Sequence, residues 1–454
     1  MSTKHRLFQG AVILTAAGLI TRFMGFFFRI FLSHAFGEES VGLYQLIFPV
    51  YALCLSISTA GLQTAVSRMT AEKVSRGKTE EAGNVLRIAL CLTLVLSCAE
   101  VLLIQQNADF IAETFLGDPR CAELLVIISY ALPCAAIHSC VCGYSFGLQR
   151  TKLPALSQLI EQASRILFVV LLFLFMQNTG HAPSIRLAAG GIVAGEFAAA
   201  LFSARLLTAR RRFGHIPSLP AMSGSIRELF TLSAPLTANR AAVTLLQSVE
   251  AASIPACLKL YGMSGSDALS IYGVLTGMAL PCILFPSAIT NSVGTVLMPA
   301  VSAAQAVGNR TAMAQLLKKA AGSCLILGLS CCLFFLIFGD LLGTILFHSS
   351  TAGKFIQTLA WICPFLYTNT ALMSAINGLG KTFLTFLINV TGLLVRIAGV
   401  FLAIPRFGIQ GYLWGLLVSQ CIMSGLAAAV LLSNSHITAF RPQRGEEAGS
   451  LDTL

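Results

Sequence analysis

The chain has 454 residues, of which 56% are hydrophobic and 11% are charged, and its mean hydropathy is +0.79. This composition leaves too little polar surface to cover a soluble globule, so it predicts an integral membrane protein. The net charge of +11 is spread over many short loops, which argues against a nucleic-acid-binding face and is typical of Lys and Arg in membrane proteins.

Twelve apolar stretches are long enough to cross a bilayer, which takes about 20 residues. The first is too long for a cleavable signal and contains two arginines, so it is predicted to be a transmembrane helix. In chain order the twelve are Leu7–Phe36, Val41–Val66, Val85–Gln105, Cys121–Gly147, Ala155–Met176, Leu187–Leu207, Ile226–Leu258, Ala268–Val301, Ala320–Phe338, Phe355–Leu379, Phe383–Ile404 and Gly411–Leu432.

The basic loop residues indicate the orientation of these spans. With the N-terminus inside, most of them are cytoplasmic, including Lys4, Arg150 and the run 210–212, while few lie outside, such as Arg120 and Lys354. Such an excess of Lys and Arg marks the cytoplasmic side. Because the number of spans is even, the C-terminus is also predicted to be cytoplasmic.

The two halves of the chain resemble each other. Residues 133–166 align without a gap onto residues 364–397, at an offset of 231, with eight of 34 positions identical. The identities include Gly147/Gly378 and Arg165/Arg396. Because six spans separate equivalent points, the halves share one orientation and form a parallel repeat.

The predicted fold is therefore all-α: a polytopic membrane protein of about twelve transmembrane helices in two parallel six-helix lobes. The lobes are expected at 1–209 and 226–433. A Pro-, Gly- and Ser-rich cytoplasmic linker is expected at 210–225, and a polar, disordered cytoplasmic tail at 434–454.

Five arginines lie inside the predicted spans: Arg22, Arg29, Arg165, Arg240 and Arg396. A guanidinium cannot lose its charge, and placing one at the centre of a bilayer costs about 2.5–3.5 kcal/mol on the insertion scale. Each is therefore expected to face water, an acidic partner or an anionic substrate.

Arg22 and Arg29 are seven residues apart, so they share one helix face with about 10 Å between them. Both are predicted to line a central cavity; the alternatives for Arg29 are snorkelling to the interface or an ion pair. Arg240 and Glu250 diverge by about 80° around the seventh span and cannot pair with each other. Arg240 is expected to complement the first-span arginines, while Glu250 either balances Arg22 or Arg29 or holds a coupling ion.

Other polar residues in the spans have structural interpretations. Glu161 and Arg165 have the i, i+4 spacing of an intrahelical ion pair. His138 has no visible set of metal ligands and is interpreted as a packed polar residue, and Glu100 and Glu196 as polar contacts. The 14 cysteines are expected to pack in the spans. Since no phosphate-binding, nucleophile or zinc motif is present, no cofactor, metal or catalytic residue is predicted, and the protein is not expected to be an enzyme.

Three segments carry a family resemblance: GLITRFMGFFFRIFLSHAFGEESVGLYQLIFPVY, TAVSRMTAEKVSRGK and SQLIEQASRI. They resemble the stage V sporulation protein B group of the polysaccharide transporter family, in the superfamily that also holds multidrug extruders and lipid II flippases. The resemblance implies a V-shaped two-lobed bundle in the bacterial plasma membrane. Many group members and the lipid II flippases have fourteen spans, two more than are predicted here.

The resemblance also implies a function. The protein is expected to flip an undecaprenyl-pyrophosphate-linked saccharide, either lipid II or a polysaccharide precursor, from the inner to the outer leaflet by alternating access. Arg22, Arg29 and Arg240 would bind the pyrophosphate. A monomer is expected, with cell-wall synthesis proteins as further partners and a role in peptidoglycan or sporulation. The alternatives are a cation-coupled multidrug or metabolite antiporter and a non-transporting scaffold in cell-wall synthesis.

Overall fold

The computed structural model describes residues 3–208 and 219–437, and within these ranges every regular element is helical. Four single segments of π-helix interrupt the spans, at Ser56–Ala60, Ile111–Leu116, Val274–Ala279 and Gly399–Ala403. The α-helices are α1 (Thr3–Leu46), α2 (Phe48–Leu55), α3 (Gly61–Ser75), α4 (Thr79–Phe110), α5 (Cys121–Ser129), α6 (Ala131–Gly147), α7 (Lys152–Asn178), α8 (Arg186–Thr208), α9 (Leu219–Leu260), α10 (Gly265–Gly273), α11 (Leu280–Leu284), α12 (Ser287–Ala306), α13 (Arg310–Phe347), α14 (Ser350–Ala360), α15 (Cys363–Gly378), α16 (Thr382–Ala398), α17 (Ile404–Phe407) and α18 (Ile409–Ile437).

The helices are long and apolar enough to form a multi-span bundle. In the described ranges nine of them could cross a membrane, or eleven when each of two bent pairs is counted as one span. The longest, Val12–Ser75, is broken at Gly37, whose φ of 76° and ψ of 173° are not helical. It therefore contains two spans, and each of the twelve predicted stretches corresponds to a helical span. The all-α, two-lobed prediction is confirmed.

The lobe boundaries differ in detail from the expected ones. α9 begins at Leu219, so the last seven residues of the predicted linker are helical, and residues 209–218 lie outside the described ranges. α18 continues to Ile437, four residues into the predicted tail. The rest of that tail, 438–454, lies outside the described residues. Below, the N-lobe is α1–α8 and the C-lobe is α9–α18.

The internal repeat is visible in the backbone. The two bent pairs, α5 with α6 (40°) and α14 with α15 (54°), are the fourth spans of the two lobes, and their breaks precede the aligned Pro133 and Pro364. A Cβ on Gly147 would lie 2.6 Å from the carbonyl oxygen of Ser67, and a Cβ on Gly378 would lie 2.6 Å from that of Met298. Gly147 and Gly378 are 231 residues apart, and so are Ser67 and Met298. The repeat therefore preserves a close contact between helices as well as sequence identities.

This close contact predicts an effect on stability. Gly147→Ala should lower the free energy of unfolding by about 1–3 kcal/mol, because the added methyl group overpacks the contact with Ser67 and Thr70. Gly425→Ala in α18 is the control, since nothing lies within 4 Å of its added methyl group, and it should be neutral or stabilising by about 1 kcal/mol. Thermal unfolding in detergent measures both variants. Equal unfolding temperatures for Gly147→Ala and wild type would contradict the packing.

The two lobes meet at a pair of repeat-related glycines. Gly42 and Gly273, also 231 residues apart, approach so closely that a Cβ on Gly273 would lie 2.5 Å from the backbone nitrogen of Gly42. One core cluster extends across this contact, with buried members such as Tyr44 in the N-lobe and Leu269 in the C-lobe. The pseudo-symmetry axis of the repeat therefore passes through packed backbone.

Candidate functional site

Arg29 on α1 is turned towards the C-lobe, and Arg22 lies two turns before it on nearly the same face of the helix. Arg29 is partly buried, and its Nη1 donates a hydrogen bond to the carbonyl oxygen of Thr276, 3.2 Å away in the π-helical segment of the C-lobe. Phe26, between the two arginines, has its ring 5.0 Å from that of Phe285 in the C-lobe. Arg22 is one turn closer to the N-terminus than Phe26 and is exposed. The basic face of α1 thus borders the contact between the lobes.

The opposite face of α1 is apolar. A groove of about 560 Å³ runs between α1 and α7. Phe27 and Phe31 in this groove lie about 140–200° around the helix from the two arginines. Its lining residues are Ile20, Phe23, Met24, Phe27, Phe28, Phe31, Ile166 and Val170. The groove also reaches the contact between the lobes, because the ring of Phe23 in its lining lies 4.8 Å from that of Phe285.

Arg240 lies in α9, the first span of the C-lobe, and its side chain is exposed. Neither Arg240 nor Arg22 makes an ion pair with any residue in ranges 3–208 and 219–437. The structure thus places two of the three candidate arginines in exposed positions. The third, Arg29, is held by a backbone carbonyl instead of a carboxylate.

The remaining two span arginines are neutralised. Arg165 Nη2 lies 2.7 Å from Glu161 Oε1, in the i, i+4 pair that the sequence predicts. Arg396 Nη2 lies 3.0 Å from Glu250 Oε2, and the Tyr412 hydroxyl donates to Glu250 Oε1 at 2.8 Å. Both arginine positions of the repeat therefore have an acidic partner, although the partner comes from the same helix in one lobe and from another helix in the other.

The expectation that Glu250 balances Arg22 or Arg29 is wrong. Its two carboxylate oxygens are occupied by Arg396 and Tyr412, and the side chain is only 7% exposed. α9, the helix of Glu250, packs against α16 and the π-helical turn that follows it, and α18 packs against the same turn. Glu250 is consequently the counter-ion of Arg396 in this structure, and its alternative role as the holder of a coupling ion stays a prediction.

The interpretation of His138 and Glu196 as separate polar residues missed a cluster. His138 on α6, Glu161 on α7 and Glu196 on α8 each offer a ligand atom, and these atoms lie within 4.8 Å of one another. The three residues are far apart in sequence and show no ligand spacing. The only available signal was the presence of ionisable residues in each of three consecutive spans. A metal ion fits this cluster poorly, because the Glu161 carboxylate already forms an ion pair with the Arg165 guanidinium.

The lobes are joined at the end of the bundle where α9 ends, which is called the far end below. Lys259 in α9 donates to the carbonyl oxygen of Gly117, at a distance of 2.7 Å. The rings of His34 in α1 and His348 at the end of α13 stack with centroids 4.2 Å apart. These contacts close the far end of the interface between the lobes.

A charged network on the N-lobe lies next to this closed end. Arg120 donates to both oxygens of Asp118 and to Glu39 Oε1, at distances of 2.8–3.0 Å. Burial by itself raises the pKa of Asp118, but hydrogen bonds from the Arg120 side chain and backbone N–H bring that pKa below its ordinary value. The network therefore keeps Asp118 ionised.

This network predicts a pH dependence of stability. A carboxyl group with a lowered folded-state pKa adds stability above its unfolded pKa, about 3.9 for Asp, and that stability is lost as the pH falls through the folded pKa. Asp118→Asn should therefore unfold at a lower temperature than wild type at pH 6, and the difference should shrink as the pH falls below about 4. Thermal unfolding from pH 2.5 to 7 measures this. A difference that stays constant down to pH 2.5 would contradict the lowered pKa.

Residues 7–305 match the family model described as "Polysaccharide biosynthesis protein". The chain belongs to this family. It is also 30% identical to stage V sporulation protein B of Bacillus subtilis (strain 168), over 97% of this chain and 85% of the relative. The lipid II flippase MurJ of the same organism is 25% identical over 68% of this chain and 60% of its own length.

The fold agrees with this membership. A solved structure of lipid II flippase MurJ in an inward closed conformation superposes with a TM-score of 0.72, at 14% identity, covering 93% of this chain and 87% of the MurJ chain. Family membership and the helical bundle together identify a multi-pass membrane protein.

Proposed function

We propose that this protein flips an undecaprenyl-pyrophosphate-linked saccharide from the inner to the outer leaflet of the bacterial plasma membrane. The family membership and the relative named as a lipid II flippase support the class of substrate. A pyrophosphate in this position carries about two negative charges, and arginine guanidinium groups bind phosphate oxygens through paired, charge-assisted hydrogen bonds.

The unequal pairing of the five span arginines is the observation that carries the proposal. Arg165 and Arg396 have carboxylate partners, whereas Arg22, Arg29 and Arg240 have none within the described ranges. A chain that needed arginine only for packing inside the membrane would be expected to neutralise it, as this chain does twice. Three uncompensated guanidinium groups favour an anionic cargo.

The contact of Arg29 also suggests how binding is linked to movement. Its guanidinium bridges the lobes through the carbonyl oxygen of Thr276. A phosphate oxygen is a stronger acceptor than a carbonyl oxygen, so a bound pyrophosphate would take over this donor and remove one contact between the lobes. Opening the far end then requires the Lys259–Gly117 contact and the stack of His34 on His348 to separate.

The lipid part of the cargo has an apolar path on the face of α1 opposite to the arginines. The groove between α1 and α7 is lined by aliphatic and aromatic side chains only. Each isoprenoid methylene kept out of water is worth about 0.8 kcal/mol, so the polyprenyl chain stays in apolar surroundings while the headgroup crosses. Moving one negative charge out of a negative interior gains about 2.3 kcal/mol per 100 mV, and the membrane potential can therefore assist the movement.

Flipping by purified protein in liposomes tests this function. An undecaprenyl-pyrophosphate-linked saccharide with a fluorescent sugar is placed in both leaflets, and a membrane-impermeant quencher reports the fraction that becomes accessible. Proteoliposomes should expose nearly all of the label, whereas protein-free liposomes should expose about the outer half. Equal accessibility in both would contradict the proposal, and uptake of an organic cation driven by an ion gradient would support an antiporter instead.

A further inference from the structure

The C-lobe carries neutral polar side chains beside the contact between the lobes. Asn291 and Thr295 lie on α12, and Asn377 lies on the neighbouring α15. The two helices pack closely, because a Cβ on Gly294 would lie 2.5 Å from the hydroxyl oxygen of Ser374. Neither helix, 287–306 or 363–378, contains an Asp, Glu, Lys or Arg. Asn291, Thr295 and Asn377 are called the polar strip below.

The faces of α12 show in which direction the strip points. Leu297 is buried in the C-lobe core, whereas the apolar side chains of Ile289 and Val296 are 56% and 70% exposed and suit contact with lipid. With about 100° between successive residues, Asn291 and Thr295 lie at least about 100° around the helix from all three. An amide turned towards lipid would lack hydrogen-bond partners. The strip therefore faces the space between the lobes.

The strip and Arg22 lie on opposite lobes at a similar depth. The ring of Phe26 on α1 is 5.0 Å from that of Phe285, which comes just before α12. Arg22 precedes Phe26 by about 6 Å along its helix, and Asn291 follows Phe285 by about 9 Å. α1 reaches the far end at His34, whereas the span that contains α12 begins there, after α9. Both residues therefore lie on the same side of the Phe26–Phe285 contact, away from the far end.

The two amides of the strip have no structural partner. Asn291 and Asn377 are partly exposed, and neither side chain hydrogen-bonds to another residue in the part of the chain that the structure describes. The buried amide of Asn369, also on α15, donates to Gln420 Oε1 at 2.8 Å and accepts from Ser424 at 2.7 Å. The C-lobe thus satisfies its buried amide, while the amides of the strip keep donors and acceptors for a ligand.

The N-lobe shows that the fold does not need these amides. At the repeat offset of 231, Ala60 corresponds to Asn291 and Phe146 corresponds to Asn377. The N-lobe keeps the equivalent close helix contact, at Gly147, without either amide. The amides of the C-lobe therefore serve something other than packing.

The chemistry of the strip suits a sugar. An amide side chain presents donors and an acceptor at a fixed spacing, and a sugar hydroxyl can both accept and donate. The Thr295 hydroxyl donates to the carbonyl oxygen of Ser292 at 2.8 Å, so its oxygen is left to accept. Since α12 and α15 contain no charged residue, a carboxylate against the strip would lose water without gaining a cation. The strip therefore favours an uncharged sugar.

We propose that the polar strip binds the saccharide of the cargo and selects an uncharged sugar. This proposal rests on the proposed function and adds a second contact to it. The arginines of α1 bind the pyrophosphate, and the strip on the C-lobe binds the sugar that is linked to it. Because the two contacts lie on different lobes, the bound headgroup spans the space between them.

Equilibrium binding in nanodiscs separates the sugar contact from the pyrophosphate contact. The probes are undecaprenyl pyrophosphate and the same lipid linked to N-acetylglucosamine. Wild type should bind the sugar-linked probe at least about tenfold more tightly, since two neutral hydrogen bonds contribute about this factor. Asn291→Ala with Asn377→Ala should bind both probes alike, with the affinity of wild type for the sugar-free lipid.

Ser292→Ala is the matched control on the same helix. Its hydroxyl donates to the carbonyl oxygen of Ala288 at 3.0 Å and lies about 100° around α12 from Asn291. This variant should keep the wild-type preference for the sugar-linked probe. Unchanged affinity of the double alanine variant for the sugar-free lipid shows that this variant is folded.

A third probe tests the selection of an uncharged sugar. In this probe the C6 hydroxymethyl group of N-acetylglucosamine is oxidised to a carboxylate, so the two sugars differ in one group. Wild type should bind the carboxylate probe at least about tenfold more weakly, because a charged group set against neutral partners loses its hydration. Equal affinity for the two probes would overturn this selection.

The outcomes separate the sugar contact from the proposed function. If wild type binds the sugar-linked and sugar-free lipids equally, or if the double alanine variant keeps the wild-type preference, the strip does not bind the sugar, and flipping is unaffected. If the protein binds none of the probes more tightly than undecaprenol and flips none of them, the proposed function itself fails.

Discussion

Replacing Arg22 and Arg29 together by glutamine is expected to lower the rate of flipping by about 10²–10⁴-fold. A hydrogen bond to a charged group contributes about 1.5–3 kcal/mol, and two such interactions correspond to this range at about tenfold per 1.4 kcal/mol. The side chains of the variant can still donate hydrogen bonds but have no charge. The initial rate of quenching in the liposome assay measures the effect.

Two further variants separate charge from folding. Arg186→Gln removes an exposed arginine that pairs with Glu123 at the far end of the bundle, and its flipping rate should match wild type. Lysine at positions 22 and 29 should restore part of the activity, because it keeps the charge but lacks the planar fork that binds two phosphate oxygens. Unchanged flipping in the double glutamine variant would exclude these arginines from the substrate path.

Removing the Glu250 carboxylate is expected to have the largest effect on stability. Glu250→Gln leaves the Arg396 guanidinium without its counter-ion, and breaking a buried ion pair by removing one partner costs about 3–5 kcal/mol. The Arg396 side chain is 27% exposed, so the lower end, about 3 kcal/mol, is expected. Thermal or denaturant unfolding in detergent measures the loss.

A second substitution shows whether the loss comes from the unpaired charge. Adding Arg396→Gln removes the uncompensated guanidinium, and most of the lost stability should return, because two neutral side chains replace the broken pair. If Glu250→Gln is as stable as wild type, or if the double variant is less stable than the single one, the pair does not hold the C-lobe in the way described.

The sequence was sufficient for everything that depends on local pattern. Twelve apolar stretches, the repeat at offset 231 and the i, i+4 pair of Glu161 with Arg165 all follow from periodicity and spacing, and the helices, the glycine contacts and the pair itself are present in the structure. Sequence alone also separated the five arginines from the apolar background, because a charge in a span is rare and costly.

Contacts between spans could not be predicted in the same way. Glu250 and Arg396 are 146 residues apart, and neither shows by spacing that the other is its partner. The same holds for His138 and Glu196, which meet because α6 and α8 pack against each other. Helices in a membrane pack through close contacts between small residues spread over a whole helix face. A single sequence does not show which face of one helix meets which face of another.

The two lobes differ in how their buried polar residues are paired. In the C-lobe the buried acid Glu250 is held by Arg396 and Tyr412, and the position equivalent to His138 is the amide of Asn369. In the N-lobe the corresponding region contains the ionisable pair of His138 and Glu196, whose side chains lie 3.4 Å apart.

The central claim is that three uncompensated arginines bind the pyrophosphate of the cargo. It is tested most directly by equilibrium binding of undecaprenyl pyrophosphate and of undecaprenol to the protein in nanodiscs. Wild type should bind the pyrophosphate at least about 100-fold more tightly than the alcohol, since two charge-assisted contacts supply about 3 kcal/mol or more. The folded variant with glutamine at positions 22, 29 and 240 should bind both lipids equally, whereas a variant that keeps the wild-type preference would contradict the account.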